Sequence, residues 1–423
     1  MPRLGEHGGE SRCSRVGHTG MVACCAAAPS VVDMAELAIV HELPIQTDRL
    51  RVLVVAESFL PQINGVTNSV RRVLEHLASQ GHEAELVAPT GPATYAGFPV
   101  RHARGANLRY YPDFRIGLET RRWLRTVMTR FRPDVVHVAS PATLGYQAVR
   151  AANDLGIPTV AIYQTDLVGF AQRYHVRGGV RAMSYLTRKI HLGVDRTLAP
   201  STASLHQLDG LGIPATALWP RGVDLQAFHP VRRCSELRSS IAPDGQLLVG
   251  YVGRLAAEKE LELLRYVADD PRYELVIVGG GPEEQRLRTL LPGAHFLGVL
   301  HGEDLGRTYA SLDIFVHTGR HETYCQSAQE ALASGVPVVA PRAGGPIDVV
   351  ADRVAGFLYE PGDGTDLAAY VDRLAQDKLL CRRMGLSARR SVRDRSWTSV
   401  NNALVEHYRD VVAGRLRPGQ LVG

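Results

Sequence analysis

The chain has 423 residues, of which 45% are hydrophobic and 22% are charged. This composition is typical of a soluble protein and excludes a coiled coil, a collagen-like repeat and a wholly disordered chain. The net charge of +5 is unevenly distributed, because residues 49–222 carry +10 whereas residues 1–48 carry −3 and residues 223–423 carry −2. The length predicts two or three domains of about 100–200 residues.

The first 48 residues show no clear hydrophobic period, and we predict a disordered N-terminal extension over residues 1–48. No apolar run in the chain approaches the roughly 18 residues that a membrane helix needs, so we expect no membrane span. The six cysteines form no C-x-x-C pair. Their spacing therefore favours a reducing compartment over a zinc or disulfide framework.

From residue 51 onwards, short β-branched runs alternate with helical segments. These runs begin at Arg51, Glu85, Asp134, Pro158 and Arg196. Their continuous apolar character predicts buried parallel strands. The helix after the first run has an apolar stripe at the spacing of one helical face and ends near Gly81. Residues 49–222 are therefore predicted to form a doubly wound α/β domain.

A segment containing proline and glycine, residues 219–230, separates this series from a second one. The second series of apolar runs begins at Leu247, Glu274, His295, Ile314 and Val336. It predicts a second α/β domain over residues 223–396. The crevice between the two domains is the expected ligand site, because the carboxyl ends of parallel strands meet there.

Two glutamates flank the start of a predicted helix in the second domain. Glu322 precedes this helix, Glu330 lies within it, and Gly335 ends it. A carboxylate before a helix can accept hydrogen bonds from sugar hydroxyls, and the free N–H groups that follow suit a phosphate. A second carboxylate two turns later can reach a ribose diol. The alternative is that Glu322 only complements the helix dipole and that Glu330 is a solvated helix residue.

Two cations follow the first strand of the second domain. Arg254 and Lys259 lie in the loop after Gly253, and Lys259 is one of only three lysines in the chain. A forked guanidinium and a point charge can together neutralise a pyrophosphate. The alternative is a pair of surface cations. A further strand runs into the glycines of residues 279–281, which permit close approach of a ligand to the backbone.

These elements, taken in this order, resemble the family-4 retaining glycosyltransferases of the GT-B fold over residues 49–415. The resemblance implies an α/β fold with two facing Rossmann-like domains and an interdomain cleft. It also implies that a nucleotide-sugar donor binds mainly to the C-terminal domain and an acceptor mainly to the N-terminal domain. The last helix, about residues 397–415, is expected to cross back onto the first domain.

The same resemblance assigns roles to individual residues. The implied catalytic residues are Arg254, Lys259, Glu322 and His137. The implied donor-binding residues are Gly65, Gly281, Tyr324, Cys325, Gln326 and Glu330. Asn64 and Asp166 are expected to contact the acceptor or the sugar. Two alternatives stay open: His137 is a core histidine, since Ala139 stands where some relatives have a second histidine, and Asp166 caps a loop.

Three segments, residues 56–70, 163–167 and 219–224, look like those of actinobacterial GDP-mannose-dependent α-mannosyltransferases that act on glycolipids. This closer resemblance implies transfer of mannose from GDP-mannose to a membrane glycolipid. A UDP-sugar-dependent enzyme of the sulfoquinovosyl- or glucosyl-diacylglycerol type is one alternative, and a non-catalytic nucleotide-sugar-binding protein is another. The chain contains no Asp-x-Asp motif, so we predict that no cofactor and no metal ion is required.

The positive charge of the first domain is concentrated in residues 101–133, which hold nine arginines and two acidic residues. Arginines and apolar residues interleave there in a helical pattern, which is typical of segments that lie on anionic membranes. The predicted membrane contacts are Arg121, Arg122, Trp123 and Arg125, which implies a peripheral enzyme on the cytoplasmic face of the plasma membrane. The alternative is a helix packed on the sheet with a solvated basic face. Nucleic-acid binding is not predicted, because no recognised binding module accompanies the charge.

Overall fold

The computed structural model describes residues 49–62, 64–108, 111–139, 141–166, 169 and 179–414; for residues 106–108 and 111–116 it describes the backbone alone. The predicted extension, residues 1–48, lies outside this part of the chain. So do Arg109 and the end of the predicted last helix, from residue 415 onwards.

The first half of the described chain is built on an eight-stranded sheet with the order β10-β9-β8-β7-β1-β2-β4-β3. Its strands are β1 (Arg51–Val55), β2 (Glu83–Ala88), β3 (Thr94–Tyr95), β4 (Phe98–His102), β7 (Val135–Val138), β8 (Thr159–Ile162), β9 (Arg196–Ala199) and β10 (Thr216–Leu218). All neighbouring pairs are parallel except β3 and β4. A separate antiparallel pair is formed by β5 (Gly105–Leu108) and β6 (Tyr111–Gly117).

The second half is built on a six-stranded parallel sheet with the order β13-β12-β11-β14-β15-β16. Its strands are β11 (Leu247–Val252), β12 (Tyr273–Val278), β13 (His295–Gly298), β14 (Ile314–Val316), β15 (Val338–Pro341) and β16 (Gly356–Tyr359). The predicted α/β class with two Rossmann-like domains is therefore confirmed.

Helices cover the faces of both sheets, as the apolar strands require, since β1 and β11 are buried almost throughout. The helices around the first sheet are α1 (Gly65–Ser79), α2 (Arg121–Phe131), α3 (Thr143–Leu155), α4 (Gly179–His191) and α5 (Thr202–Gly210). Those around the second are α6 (Ser235–Ile241), α7 (Arg265–Ala268), α8 (Glu284–Leu290), α9 (Gly302–Ser311), α10 (Gln326–Ala333), α11 (Pro346–Val349), α12 (Gly364–Gln376) and α13 (Lys378–Ser391).

Short 3₁₀ turns at Pro230–Arg232, Ala257–Lys259 and Leu261–Leu264 complete the second half. Among the described helices, none combines the length and the apolar character that a membrane crossing needs.

The last described helix, α14 (Trp397–Val412), packs on the first sheet. Its buried apolar residues belong to the same core cluster as residues of β1 and α1. The chain passes from one half to the other beside the start of this helix, because Val223 pairs with Ser396 and a Cβ on Gly222 would lie 2.5 Å from the Cα atom of Trp397. The packing of α14 is what the resemblance implies, whereas a division at residues 222 and 223 stays a prediction.

Candidate active site

A largely buried charged cluster lies at the carboxyl end of the second sheet, with side-chain exposures of 20% for Lys259, 18% for Glu322 and 2% for His317. The ammonium group of Lys259 contacts the carboxylate of Glu322, and Nε2 of His317 lies 3.2 Å from Oε1 of the same carboxylate. Lys259 ends the 3₁₀ turn after β11, and Glu322 and His317 lie in the loop after β14. Parallel strands bring these loops together because β11 and β14 are neighbours in the sheet.

The electrostatics of this cluster favour an ionised Glu322. Burial alone would raise the pKa of its carboxyl group, but Lys259 and His317 together hold that pKa well below its usual range. Burial likewise opposes the charge on Lys259, and Glu322 more than offsets it, so that the pKa of Lys259 is raised. The pKa of His317 is lowered by burial but raised more strongly by Cys325 and Glu322. Lys259 is therefore a fixed cation at neutral pH.

Close backbone packing holds the loop of Arg254 and Lys259 in place. A Cβ atom on Gly279 would lie 1.9 Å from the carbonyl oxygen of Gly253, and one on Gly281 would lie 2.3 Å from that of Leu255. The amide of Leu255 also donates a 2.9 Å hydrogen bond to the carbonyl oxygen of Gly280. The predicted glycine turn after β12 therefore packs directly against the backbone of the loop that carries Arg254 and Lys259.

A second pair of glycines supports the loop of Glu322. The amide of Gly345 donates a 2.8 Å hydrogen bond to the carbonyl oxygen of Glu322, and a Cβ atom on Gly344 would lie 2.5 Å from that oxygen. The loop ends at Cys325, which has a φ of +76° and precedes α10. The first N–H groups of α10 have no partner within the helix and are suited to an anion.

Glu330 lies on α10 and is held by a buried tyrosine. The hydroxyl of Tyr309 donates a 3.1 Å hydrogen bond to Oε2 of Glu330. Burial raises the pKa of Glu330 to about 7, although the hydrogen bonds from Tyr309 and Gln326 oppose this shift. Glu330 is therefore a partly buried carboxylate held by Tyr309, which disfavours the alternative of a solvated helix residue.

Arg254 differs from Lys259 in its surroundings. Its side chain is half exposed and contacts Glu258, four residues along the same loop. The guanidinium group therefore lies at the solvent edge of the site, while the Lys259 ammonium group is enclosed.

His137 is buried against α14. The imidazole on β7 is 1% exposed, and its Nδ1 atom lies 2.6 Å from the hydroxyl of Tyr408 on α14. Burial lowers the pKa of His137 to about 3, so the ring is neutral. The structure thus favours the alternative of a core histidine over the implied catalytic role.

The other predicted residues of the first domain have local structural contacts. Oδ1 of Asn64 accepts a 2.9 Å hydrogen bond from the amide of Thr67 and so caps α1. Oδ1 of Asp166 accepts a 2.7 Å hydrogen bond from the amide of Gly169, which fits the loop-capping alternative. Gly65, the first residue of α1, is approached by the side chain of Arg221.

The predicted membrane segment forms α2, and its apolar side packs on the domain. Trp123 is only partly exposed and packs on the core cluster that contains Leu124. Arg121 and Arg125 both face Asp154 on α3, while Arg122 is exposed. The prediction that Trp123 contacts a membrane is therefore replaced by packing on the sheet, which is the alternative of a packed helix with a basic outer face.

Four residues around the site were not predicted from the sequence: His317, Tyr309, Arg221 and Gln329. His317 directly follows a buried strand. The loop of Lys259 follows a strand in the same way, so this signal did not single out His317. Arg221 lies inside a segment that carried the resemblance, but its contacts depend on the meeting of both halves. Among the described residues, no three His, Cys, Asp or Glu side chains are grouped as metal ligands. The absence of a metal requirement stays a prediction.

Comparison with known protein families gives two matches that together span most of the described chain. Residues 63–227 match the domain described as Glycosyltransferase Family 4, and residues 235–391 match Glycosyl transferases group 1. Lys259, Glu322 and Glu330 lie within the second match.

Similar proteins extend across both matches. The chain is 46% identical to a GDP-mannose-dependent α-mannosyltransferase of Mycobacterium tuberculosis, over 86% of this chain and 98% of that protein. It is 29% identical to a GDP-mannose-dependent α-(1-6)-phosphatidylinositol dimannoside mannosyltransferase from the same species, over 69% and 80% of the two chains. The structure of Anabaena HepE in complex with UDP-glucose superposes with a TM-score of 0.69 at 19% identity, covering 86% of this chain and 100% of that one.

Proposed function

Because the chain belongs to glycosyltransferase family 4, we propose that it transfers mannose from GDP-mannose to a membrane glycolipid with retention of the anomeric configuration. The observation that carries the chemistry is the enclosed Lys259, held by Glu322 beside the N-terminus of α10. A fixed cation and free helix N–H groups at one place suit the charge that develops on a departing diphosphate.

The proposed reaction uses these residues at defined steps. The bond between C1 of mannose and the β-phosphate oxygen breaks, and the new bond from C1 to the acceptor oxygen forms on the same face. Lys259 and Arg254 stabilise the negative charge left on GDP. The acceptor proton passes to a phosphate oxygen of the leaving group, so the step needs no further co-reactant. In the proposed complex, Glu322 accepts hydrogen bonds from the sugar and Glu330 accepts them from the ribose.

The donor is tested by nucleotide binding. A ligand that binds only the folded protein stabilises it by about 2.7 kcal/mol when present at 100 times its Kd. We expect GDP to raise the melting temperature more than UDP or ADP at equal concentration, and GDP-mannose to be consumed when a glycolipid fraction is added. Greater stabilisation by UDP would overturn the mannosyl donor but not the transferase activity.

The acceptor proposal depends on the first domain and its basic face. Arg122, Arg125 and Arg130 are exposed on α2, on the half that carries the excess positive charge. Such a face is attracted to anionic lipid headgroups by about 1 kcal/mol for each basic residue near the surface. The lipid named for one mannosyltransferase relative, phosphatidylinositol dimannoside, has an anionic headgroup and supports the same class of acceptor.

Vesicle co-sedimentation tests this surface. The triple variant Arg122→Glu, Arg125→Glu, Arg130→Glu is expected to lose most of its binding to phosphatidylglycerol vesicles while still binding GDP. The matched control is Arg382→Glu, Arg383→Glu, Arg393→Glu, which reverses three exposed arginines of the second half. Equal loss in both variants would mean that only net charge matters, and would contradict a docking face on α2.

A further inference from the structure

Arg221 lies in the segment that joins the two halves, between β10 and the second sheet, and is 6% exposed. Its guanidinium group points into the first half. Nη1 donates a 2.6 Å hydrogen bond to the carbonyl oxygen of Gly65, and Nη2 donates a 3.0 Å hydrogen bond to Oε1 of Gln164. The side chain therefore connects the start of α1 to the end of β8.

The backbone of the same residue is held by the second half. The carbonyl oxygen of Arg221 accepts a 2.9 Å hydrogen bond from Nε2 of Gln329 and a 3.2 Å hydrogen bond from the hydroxyl of Tyr324. The next carbonyl oxygen, that of Gly222, accepts a 3.0 Å hydrogen bond from Nε2 of Gln326. Helix α10 and the loop before it thus hold the backbone at Arg221 and Gly222 by three hydrogen bonds.

Two further contacts make this connection specific. A Cβ atom on Gly65 would lie 2.9 Å from Nη1, so that the absence of a side chain at this position permits the approach. The carbonyl oxygen of Gln164 accepts a 3.3 Å hydrogen bond from the hydroxyl of Thr323, next to Glu322. Gln164 therefore contacts Arg221 through its side chain and the Glu322 loop through its backbone.

Placing a guanidinium group here has an energetic cost. Burial lowers the pKa of Arg221 to about 10, against the opposing influence of Tyr324 and Glu322, and the group is still charged at neutral pH. Among the described residues, no carboxylate lies within ion-pair distance of it. Burying a charge that only neutral oxygens satisfy is unfavourable compared with an apolar contact. A role in stability alone does not account for this arrangement.

We infer that Arg221 is a positioning residue that fixes the acceptor half against the donor half in the geometry required for transfer. The inference rests on the proposed function for its catalytic readout. Arg221 acts through the α1 start and Gln164. Of the implied donor-binding residues, its side chain bonds only the backbone carbonyl of Gly65, and the others lie in the second half, so Arg221 contributes little to donor affinity. Its loss should therefore lower kcat and leave donor binding nearly unchanged.

The test compares Arg221→Met with Arg221→Lys and with the matched control Arg72→Met. Arg72 on α1 also bridges the halves, through a 3.1 Å ion pair with Asp224, but its side chain bonds Glu75 and Asp224 rather than Gly65 or Gln164. For R221M we expect the Kd for GDP-mannose to change less than threefold and kcat to fall at least 50-fold. The kcat of R221K should be at least tenfold higher than that of R221M, and the kcat of R72M should stay within threefold of that of the unmodified chain.

Two outcomes overturn the proposal: a kcat for R221M within threefold of the unmodified chain, or a rise in Kd that accounts for the whole defect, which would make Arg221 a donor contact. If R221M does not fold, Gln164→Leu tests the same link without removing a charge, and an unchanged kcat in that variant contradicts it.

Small-angle X-ray scattering of the chain with GDP tests the positioning role independently of the proposed mannosyl transfer. If the unmodified chain transfers no mannose, the proposed function fails. The positioning role still predicts that R221M, but not R72M, samples a wider range of interdomain separations.

Discussion

The two Rossmann-like halves use ionisable side chains differently. In the second half, Lys259 and His317 both contact Glu322 at the carboxyl edge of the sheet, and all three groups are charged at neutral pH. In the first half, Glu57 and His137 are buried. Burial raises the pKa of Glu57 and lowers the pKa of His137, so that it favours the neutral form of each group. Opposite charges thus meet at the carboxyl edge of the second sheet, where the proposed reaction releases a diphosphate, whereas burial leaves Glu57 and His137 of the first half without a charged partner among the described residues.

Loss of the fixed cation of the second half is expected to have the largest effect on activity. Lys259→Met should lower transfer from GDP-mannose by about 10²–10³-fold, the usual effect of losing one preorganised stabilising group. The measurement is kcat at saturating donor. The control is Lys378→Met, which removes an exposed lysine at the start of α13. Retention of more than a tenth of the activity in K259M would contradict a role for Lys259 at the leaving group.

Glu330 is a partly buried carboxylate of the second half, and burial raises its pKa to about 7. If the ionised form binds the ribose, GDP-mannose affinity should fall by about fivefold between pH 7 and pH 6 as the group is protonated. Glu330→Gln should weaken binding about 10–100-fold at pH 8 and remove this pH dependence. Isothermal titration measures both effects. The exposed Glu303→Gln on α9 serves as the control, and a persisting pH slope in E330Q would assign the titration elsewhere.

Glu57 is the corresponding buried carboxylate of the first half, and its effect is expected on stability. Its Oε1 atom accepts hydrogen bonds of 2.8 Å and 2.9 Å from the amides of Ala142 and Gly145 at the start of α3. Burial raises the pKa of Glu57 to about 7. A carboxyl pKa raised on folding adds stability that is complete below the unfolded pKa and is lost as the pH rises through the folded value.

Glu57→Gln keeps an oxygen acceptor but cannot ionise, so it should remove the loss of stability that the unmodified chain shows as the pH rises. We therefore expect the free energy of unfolding of E57Q, relative to the unmodified chain, to increase by about 1–2 kcal/mol between pH 5 and pH 8. Urea unfolding across this range measures it, with the exposed Glu406→Gln as the control. A parallel pH profile for E57Q and the unmodified chain would show that Glu57 does not titrate in this range.

The smallest expected effect concerns His137. His137→Asn should cost about 1 kcal/mol of stability through the lost hydrogen bond to Tyr408, and Tyr408→Phe should cost a similar amount. Both variants should keep kcat within threefold. A tenfold fall in kcat for H137N alone would restore the implied catalytic role and would place ionisable chemistry in the first half as well.

The order of the elements could be predicted from the sequence, because apolar runs and helical stripes are local properties. The apolar stripe of α1 is buried as predicted, and Gly81 follows the helix with a φ of +74°. The edge strands β3, β10 and β16 escaped prediction, since they are short or carry a weaker apolar pattern. Their position in the sheets depends on pairing with neighbours.

Side-chain direction was the main property that the sequence left open. His137 and Trp123 are residue types that occur at reaction centres and membrane surfaces, and the linear pattern placed them next to plausible partners. In the structure, α14 covers His137 from a position 271 residues further along the chain. Trp123 packs on the first domain because the apolar side of α2 faces the sheet.

The two α/β halves, the charge asymmetry between them and the segments that carry Lys259, Glu322 and Glu330 could be predicted from the amino-acid sequence. These features follow from composition and from strand-to-helix junctions, which are local. The folded chain was needed to show that His317 contacts Glu322 beside Lys259, that Tyr309 holds Glu330, and that Arg221 links Gly65 to α10. Such contacts are set by which strands are adjacent and by how closely glycine lets the backbone approach, and neither property is encoded at one position of the chain.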